Sequence, residues 1–181
     1  MSIKLTDHCL LCDKRNFIIE KGTVCSINNK PPNFNDTCSK ISFDSNYKKV
    51  IEDVNIDYFK CKNQKILVYI YFVVFLIFGL MIVCFSIYGT FYLTEKLKNY
   101  RGLGLVVLGI PIIIFSIGWV LIGKATGVLR THLNDFKIYE NKKELTDNVL
   151  KLYNIKYNLK ITPIKSINGP KRFKTELKIK S

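Results

Sequence analysis

Four cysteines near the start of the chain have the spacing of a metal site. Two residues separate Cys9 from Cys12, and Cys25 and Cys38 each follow after twelve more residues. Four thiolates suit tetrahedral zinc, because a close pair holds the ion in a tight turn and two distant thiolates complete a closed site with no position for substrate. The spacing therefore predicts one structural zinc ion per chain, with Cys9, Cys12, Cys25 and Cys38 as its ligands.

Two other interpretations of these cysteines stay open. In the first, all four cysteines are ordinary buried thiols. In the second, Cys9 and Cys12 form the redox pair of a membrane-bound thiol oxidoreductase. A redox C-x2-C normally opens a helix within a βαβ pattern, where the helix dipole lowers the pKa of the nucleophile. Charged and turn-forming residues follow Cys12 instead, which favours zinc. His8 is an alternative ligand, but the neighbour of a ligand rarely points at the same ion.

The residues between the cysteines predict a strand, a tight turn and a second strand. Residues 16–20 and 23–25 are rich in apolar and β-branched residues, and Lys21-Gly22 lies between them. The side chains expected to fill the interior of this head are Phe17, Ile19, Val24 and Phe34. Since a core of this size is marginal alone, the head needs a metal, a membrane surface or a partner.

Several residues around the cysteines complete a recognisable pattern. Its positions are Cys9, Cys12, Arg15, Phe17, Lys21, Gly22, Cys25, Lys30, Pro31, Phe34 and Cys38. This pattern resembles the cysteine-rich head of small, uncharacterised membrane proteins of Bacteroidota, although Lys14 stands where that pattern has Asn. The resemblance covers residues 9–38. It implies a head similar to a small zinc ribbon, placed before hydrophobic helices and holding its metal with the four cysteines. It implies no activity.

Two long segments have no charged side chain. Residues 66–93 run for 28 residues and residues 102–123 for 22, whereas about 20 helical residues span the roughly 30 Å of bilayer hydrocarbon. The sequence therefore predicts two transmembrane helices that form a hairpin, with both termini on one side. Because neither span contains Asp, Glu, His, Lys or Arg, we do not expect ion or proton transport by this chain alone.

The charge distribution predicts the orientation of the hairpin. The net charge is +14, and residues 124–181 hold 14 basic and 5 acidic side chains, against 11 and 8 in residues 1–65. Basic flanks are retained in the cytoplasm, so both termini are predicted to be cytoplasmic in a bacterial inner membrane. The connecting turn is itself basic, which weakens this prediction. Cys61, beside the membrane, is a possible site of acylation.

The C-terminal part predicts a helix followed by a β-hairpin. Asn141 and Glu144 have the spacing of a capping box, and a short helix is expected from about Lys142 to Tyr153. Apolar and polar residues then alternate in residues 155–161 and again in 173–179, around a turn at 168–170. A lone hairpin is marginal in water, so its apolar face must cover the helix, the cysteine head or another protein.

The sequence thus predicts a membrane α-helical hairpin with a small zinc-ribbon-like N-terminal domain and a C-terminal α+β segment. The predicted segments are 1–43 (cysteine-rich head), 44–65 (polar linker), 66–93 (first transmembrane helix), 94–101 (short extracytoplasmic turn), 102–128 (second transmembrane helix) and 129–181 (basic cytoplasmic helix plus β-hairpin).

The predicted function is that of a non-enzymatic membrane-anchored adaptor or accessory subunit of an inner-membrane assembly, with membrane proteins as partners. One alternative is the thiol oxidoreductase. The other is a tether in which the basic C-terminal segment binds a ribosome, nucleic acid or anionic lipid.

Overall fold

The computed structural model describes residues 3–96, 104–164 and 172–180 of the 181-residue chain. The side chains of residues 104–108 and 172 lie outside this description. The elements in chain order are helix α1 (Leu5–Leu10), strands β1 (Arg15–Ile18) and β2 (Gly22–Cys25), helices α2 (Ser45–Lys96) and α3 (Gly104–Leu152), and strands β3 (Lys156–Ile164) and β4 (Arg172–Lys180). The fold is therefore mostly helical.

The chain divides into two compact units. Unit 1 combines residues 1–62 with residues 136–181, and unit 2 consists of residues 63–135. Unit 1 therefore contains both ends of the chain, and unit 2 contains the C-terminal part of α2 and the N-terminal part of α3.

The helices of unit 2 are long and apolar enough to cross a membrane, judged by length and composition. In the most apolar window of each helix, only 6% of residues in α2 and 11% in α3 are buried within the protein. The core helix of a water-soluble protein would bury most of its apolar side chains. This exposure is what a pair of lipid-facing helices requires.

Two glycines let the helices of unit 2 approach closely. A Cβ atom added at Gly79 would lie 2.6 Å from Cγ1 of Ile122, and one at Gly118 would lie 2.8 Å from Cγ2 of Val83. Such a Cβ would also lie 3.0 Å from the backbone carbonyl oxygen of the opposite glycine in each case. The helices therefore pack on each other through small residues, whereas nothing lies within 4 Å of a Cβ added at Gly127.

A buried hydrogen bond also joins the two helices of unit 2. The hydroxyl of Ser86 donates to the carbonyl oxygen of Pro111 at 2.5 Å. Pro111 lies inside α3, where a proline ring displaces the regular hydrogen bonding of the helix. The bond that Pro111 removes is the one to the carbonyl oxygen four residues earlier, so the Ser86 hydroxyl is an additional donor that links α2 to α3 at the proline.

The core of unit 1 is built from three distant parts of the chain. Its buried side chains are Leu11 of the head, Tyr47 and Ile51 of α2, and Val149 and Leu150 of α3. Partly buried side chains surround this cluster: Ile3, Phe43, Val50, Tyr153, Ile155, Tyr157, Leu177 and Ile179. The head, both helix ends and the C-terminal hairpin therefore share one interior.

The C-terminal β-hairpin is confirmed, with its predicted faces. β3 and β4 are antiparallel, with Tyr157 opposite Ile179 and Leu159 opposite Leu177. Tyr157 and Ile179 contact the core of unit 1. The apolar face of the hairpin therefore covers the start of α2 and the end of α3, and it is not left in water. The lysines of the other face are exposed: Lys156, Lys160, Lys174, Lys178 and Lys180. The turn predicted at 168–170 lies outside the described residues.

The structure corrects two predicted boundaries. Residues 45–65 are not a polar linker, because α2 is one continuous helix from Ser45 to Lys96. No separate helix begins near Lys142, because α3 runs without interruption to Leu152. Asn141 is therefore an interior helix residue and not a cap. Both polar segments are helical because their apolar side chains at helical spacing meet in the core of unit 1. Residues 94–96, assigned to the turn, are the last residues of α2.

The predicted filling of the head is partly wrong. Val24 is fully buried, but Phe17 is 64% and Ile19 is 93% exposed. The side chain that anchors the head in the interior is instead Leu11, which is 1% exposed. The head packs on α2 and α3 and needs no independent core, which is why β1 can leave its apolar residues in solvent.

Candidate functional site

The first two cysteines of the predicted metal set lie in a tight turn at the end of α1. Cys9 belongs to α1, and the backbone amide of Cys12 donates to the carbonyl oxygen of Cys9 at 3.2 Å. The amide of Arg15 then donates to the carbonyl oxygen of Cys12 at 3.3 Å, where β1 begins. Two successive turns therefore hold this pair close together.

The third cysteine lies at the end of the strand pair. β1 and β2 are antiparallel, and Cys25 pairs with Arg15. The turn between the strands contains Gly22, whose φ of 72° is in the left-handed region that glycine adopts without strain. The predicted strand, turn and strand are thus present, and they bring Cys25 to the end of the sheet where the Cys9 to Cys12 turn leads in.

All four cysteines line one cavity of about 240 Å³. His8, Phe34, Lys14 and Arg15 are among the other residues of its wall. In the described residues, no group of three or more His, Cys, Asp or Glu side chains is arranged as a metal site. The fold therefore gathers the predicted ligand set around one space, but it does not bring the sulfur atoms into ligand geometry.

The pKa of Cys9 reflects its burial and the neighbouring thiols. Burial raises the pKa of the Cys9 thiol, and negative charge on Cys12, Cys38 and Cys25 would raise it further. The Arg15 guanidinium acts in the opposite direction. The Cys9 thiol is also a weak donor to the carbonyl oxygen of Leu5, and its Sγ atom lies 3.8 Å from that oxygen. Without a metal, this thiol is held in its neutral form.

Tyr153, directly after α3, connects the C-terminal part of the chain to the cysteine-bearing head. The backbone amide of Cys38 donates to the Tyr153 hydroxyl at 2.9 Å. The same hydroxyl lies 3.0 Å from Nδ1 of His8. The hydroxyl oxygen accepts from Cys38, and the hydroxyl donates to Nδ1 of His8 or accepts from it according to the tautomer of the imidazole.

His8 is buried beneath the cavity, with 3% of its surface exposed. Its ring lies edge-on to the rings of Phe34 and Tyr153, at centroid distances of 5.1 and 5.7 Å. Burial lowers the pKa of His8, and the nearby Asp7 carboxylate opposes this effect. His8 is therefore a buried, neutral residue whose Nδ1 forms a hydrogen bond with Tyr153.

Asp13 attaches the other side of the head to the start of α2. Its carboxylate accepts hydrogen bonds from the backbone amides of Asp44 at 2.5 Å and Asn46 at 2.8 Å. Amides at a helix N-terminus have no partner within the helix, and a carboxylate there also complements the helix dipole. The side chain of Asn46 donates in return to the carbonyl oxygens of Leu10 and Cys12, at 3.3 and 3.4 Å.

Asp13 and Tyr153 are the two residues that sequence reasoning missed. Each acts on a part of the chain distant in sequence, since Asp13 lies 31 residues from Asp44 and Tyr153 lies 145 residues from His8. Tyr153 was expected only as an apolar residue of a helical face. No local pattern marks a residue that caps or supports an element so far along the chain.

A second polar group lies between α2, α3 and β3. The Tyr157 hydroxyl donates to the Asp147 carboxylate at 2.5 Å and accepts from the Asn55 amide at 3.0 Å. Lys143 forms an ion pair with Asp147 at 2.6 Å. Burial and the Asp147 carboxylate raise the pKa of Tyr157. These hydrogen bonds fix the hairpin to both helices.

The two remaining cysteines lie apart from the head. Cys61 is only 4% exposed, so α2 does not present its thiol for the acylation considered from the sequence. Cys84 is exposed on the apolar surface of α2. Neither residue adds to the candidate site.

Comparison with protein-family models, curated proteins and solved structures gives no match.

Proposed function

We propose that this chain is a non-enzymatic adaptor or accessory subunit of a bacterial inner-membrane assembly. The observation that carries the proposal is unit 1, in which both ends of the chain fold around one core although residues 63–135 separate them. Two apolar helices serve as the anchor, and one folded polar unit is available to membrane-protein partners.

In this proposal α2 and α3 cross the membrane and both termini are cytoplasmic. The support for membrane insertion is the exposure of the most apolar windows of both helices. The support for the orientation is the excess of Lys and Arg at residues 124–181. Cysteine substitutions at Ser2, Asn99 and Ser181 test the orientation. An impermeant thiol reagent applied to intact cells should label only N99C, whereas labelling of S2C and S181C would reverse the topology.

The head, in the same proposal, is a zinc-ribbon-like domain in which Cys9, Cys12, Cys25 and Cys38 hold one structural zinc ion. The donor set fits this metal, because four thiols line one cavity and no carboxylate is part of its wall. Zinc binding requires the four thiols to lose their protons and to approach the ion. Bound zinc would supply folding free energy to the head, with no role in chemistry.

The competing function is a thiol oxidoreductase that uses Cys9 and Cys12. Such an enzyme needs a stabilised thiolate, typically at a helix N-terminus. Here Cys9 is the fifth residue of the six-residue helix α1, and Cys12 follows the end of that helix. The dipole at this end disfavours a thiolate. The position of the pair along α1 therefore favours a structural role.

Elemental analysis of the reductively purified full-length chain separates the two functions. The adaptor proposal expects about one zinc per chain, with four thiols of the head protected from alkylation until the metal is removed. C25S should lose the metal and unfold the head, and C84S is the matched control because Cys84 lies on the apolar surface of α2. Zinc far below one equivalent, with reactive thiols in the folded chain, would refute the zinc site.

The adaptor role itself is tested by purification of the chain with its partners in mild detergent. A membrane protein that is retained by the wild type and by C84S, but is lost with C25S, is the expected result. If the same proteins are retained by all three chains, the folded head makes no contribution to partner binding.

The tether function relies on the basic face of the β-hairpin. The exposed face of β3 and β4 includes Lys156, Lys160, Lys174, Lys178 and Lys180, with Glu176 as its acidic member. In the described strands this face carries no aromatic side chain that could stack on a base. A ribosome or nucleic-acid role would therefore depend on phosphate contacts alone and would be strongly salt-dependent.

A further inference from the structure

Aromatic rings and lysines form a cluster in unit 1 where α2 approaches its charge-free segment. The ring of Tyr58 lies 5.7 Å from that of Phe136, and the ring of Phe59 lies 6.1 Å from that of Phe173. Lys60 Nζ is 5.4 Å from the centre of the Phe173 ring. Lys62 Nζ is 5.9 Å from the centre of the Tyr58 ring. Lys143 Nζ also lies 6.0 Å from the centre of the Tyr58 ring. These contacts form two neighbouring groups on consecutive residues of α2, and we call their four rings together with Lys60 and Lys62 the aromatic–lysine cluster.

The sequence of α2 relates this cluster to the charge-free segment. Lys60 and Lys62 precede Ile66, the first residue of that segment, by six and four residues in the same helix. At 1.5 Å per residue these separations are about 9 Å and 6 Å along the helix axis. The Debye length in physiological salt is about 8 Å. For a bilayer surface that begins near Ile66, Lys62 therefore lies within one Debye length of the negative surface potential, and Lys60 lies about one Debye length from it.

The composition of the cluster suits the polar boundary of a bilayer. Aromatic rings are enriched at that boundary, and lysines there lay their apolar stems on neighbouring rings while the ammonium group stays in the headgroup layer. Lys60 also pairs with Asp57 at 3.4 Å, but both side chains are nearly half exposed. Such a loose pair is weak, so Lys60 remains able to bind a phosphate.

We propose that the aromatic–lysine cluster binds the phosphate groups of anionic phospholipids through Lys60 and Lys62. The proposal rests on the membrane insertion of α2 proposed above, and it is independent of zinc. Nucleic acid fits this cluster less well, because its rings pack on one another in pairs and are not presented as a platform for bases.

The basic face of the hairpin offers a matched control. Lys156 pairs with Lys180 at one end of the hairpin, and Phe173 lies seven residues from that end along the strand direction, opposite Pro163. At about 3.4 Å per residue, these two positions are roughly 24 Å apart. This distance exceeds two Debye lengths. K156Q/K180Q therefore removes the same charge as K60Q/K62Q at a place where the cluster makes no contact.

The experiment measures lipid retention by the full-length chain. The protein is first floated with vesicles of phosphatidylcholine and phosphatidylglycerol, and it is then extracted into mixed micelles of the two lipids. Native mass spectrometry measures the ratio of bound phosphatidylglycerol to bound phosphatidylcholine. The wild type should prefer phosphatidylglycerol. A headgroup contact is worth about fivefold per lysine, so K60Q/K62Q should lower the ratio by about 25-fold. K156Q/K180Q should lower it less than twofold, and K60R/K62R should keep it.

Several results would overturn the proposal. An unchanged ratio in K60Q/K62Q, or an equal loss in K156Q/K180Q, would show that no specific contact exists at the cluster. Binding of a poly(U) oligonucleotide that competes with phosphatidylglycerol, and that K156Q/K180Q abolishes, would assign the basic surface to nucleic acid. A wild type that does not float with the vesicles would refute the membrane anchor, and the lipid proposal with it. A wild type that floats without lipid preference refutes the lipid proposal alone.

Discussion

The hydroxyl of Tyr153 provides a direct test of the idea that the two ends of the chain form one folded unit. Y153F keeps the ring, which packs against His8 and Phe43, and removes the oxygen that accepts from Cys38 and engages His8. Each hydrogen bond contributes about 0.5–1.5 kcal/mol net. Both sites are partly buried, so we expect the head to lose about 2 kcal/mol of stability against local opening.

Hydrogen exchange of the full-length chain in detergent measures this loss at the amide that donates to Tyr153. A change of about 2 kcal/mol corresponds to a factor of about 30 in the opening equilibrium, so protection of the Cys38 amide should fall about 30-fold. Zinc binding by the head, as proposed above, should weaken by about tenfold, because outer contacts orient metal ligands. Y58F is the control, since Tyr58 contacts Phe136 through its ring and lies outside the head.

Two outcomes would refute this reasoning. Protection of the Cys38 amide that changes less than twofold in Y153F would show that the hydroxyl does not support the head. An equal loss of protection in Y58F would show that any change of a tyrosine on these helices loosens unit 1, and the specific connection through Tyr153 would then be wrong.

Three further predictions concern other parts of the chain. D13A should destabilise the start of α2 by about 1–2 kcal/mol, because two backbone amides lose their acceptor at the positive end of the helix dipole. Faster hydrogen exchange of the Asp44 and Asn46 amides would show this loss. G118A should destabilise the packing of α2 on α3 by about 1–3 kcal/mol through overpacking, measured by denaturant titration in detergent, whereas G127A should change it by less than about 0.5 kcal/mol. The pKa of Tyr157 is raised in the folded chain. Its contribution to stability is therefore complete below about pH 10, the pKa of an unfolded tyrosine. The contribution is lost as the pH rises further through the folded pKa. Y157F should remove this alkaline loss, as followed by tyrosinate absorbance and circular dichroism.

The parts of the fold that follow from local patterns were predictable from the sequence. The charge-free segments predicted the two long helices, and the strict alternation after Asn154 predicted β3, β4 and their exposed lysines. The continuity of α2 and α3 was not predictable in this way, because the segments beside the charge-free runs carry many charged side chains, and the apolar spacing in residues 45–65 indicates only one or two helical turns. Their helical form depends on Tyr47 and Ile51 reaching a core that Val149 and Leu150 complete, and nothing nearby in sequence indicates those partners.

In the candidate site, too, the local features were predictable and the long-range contacts were not. The spacing of the cysteines predicted that they belong together, and the fold places all four around one cavity. What holds the head in place was not predictable, because Asp13 and Tyr153 act across 31 and 145 residues. The sequence also placed Phe17 and Ile19 in an interior that does not exist, since Leu11 inserts into a core supplied by α2 and α3.

These long-range contacts make the head dependent on the rest of the chain. The hydroxyl that supports Cys38 and His8 belongs to residue 153, and the tyrosine that joins Asn55 to Asp147 belongs to β3. A chain that ends before the second long helix is complete therefore has neither connection, and its head retains only a short helix and a four-residue strand pair. Such a fragment is too small to bury a stable core. We therefore expect the head to be stably folded only when both long helices and the C-terminal hairpin complete the core around Leu11. In the function proposed above, the chain would present its folded surface to partners only after both long helices have been assembled.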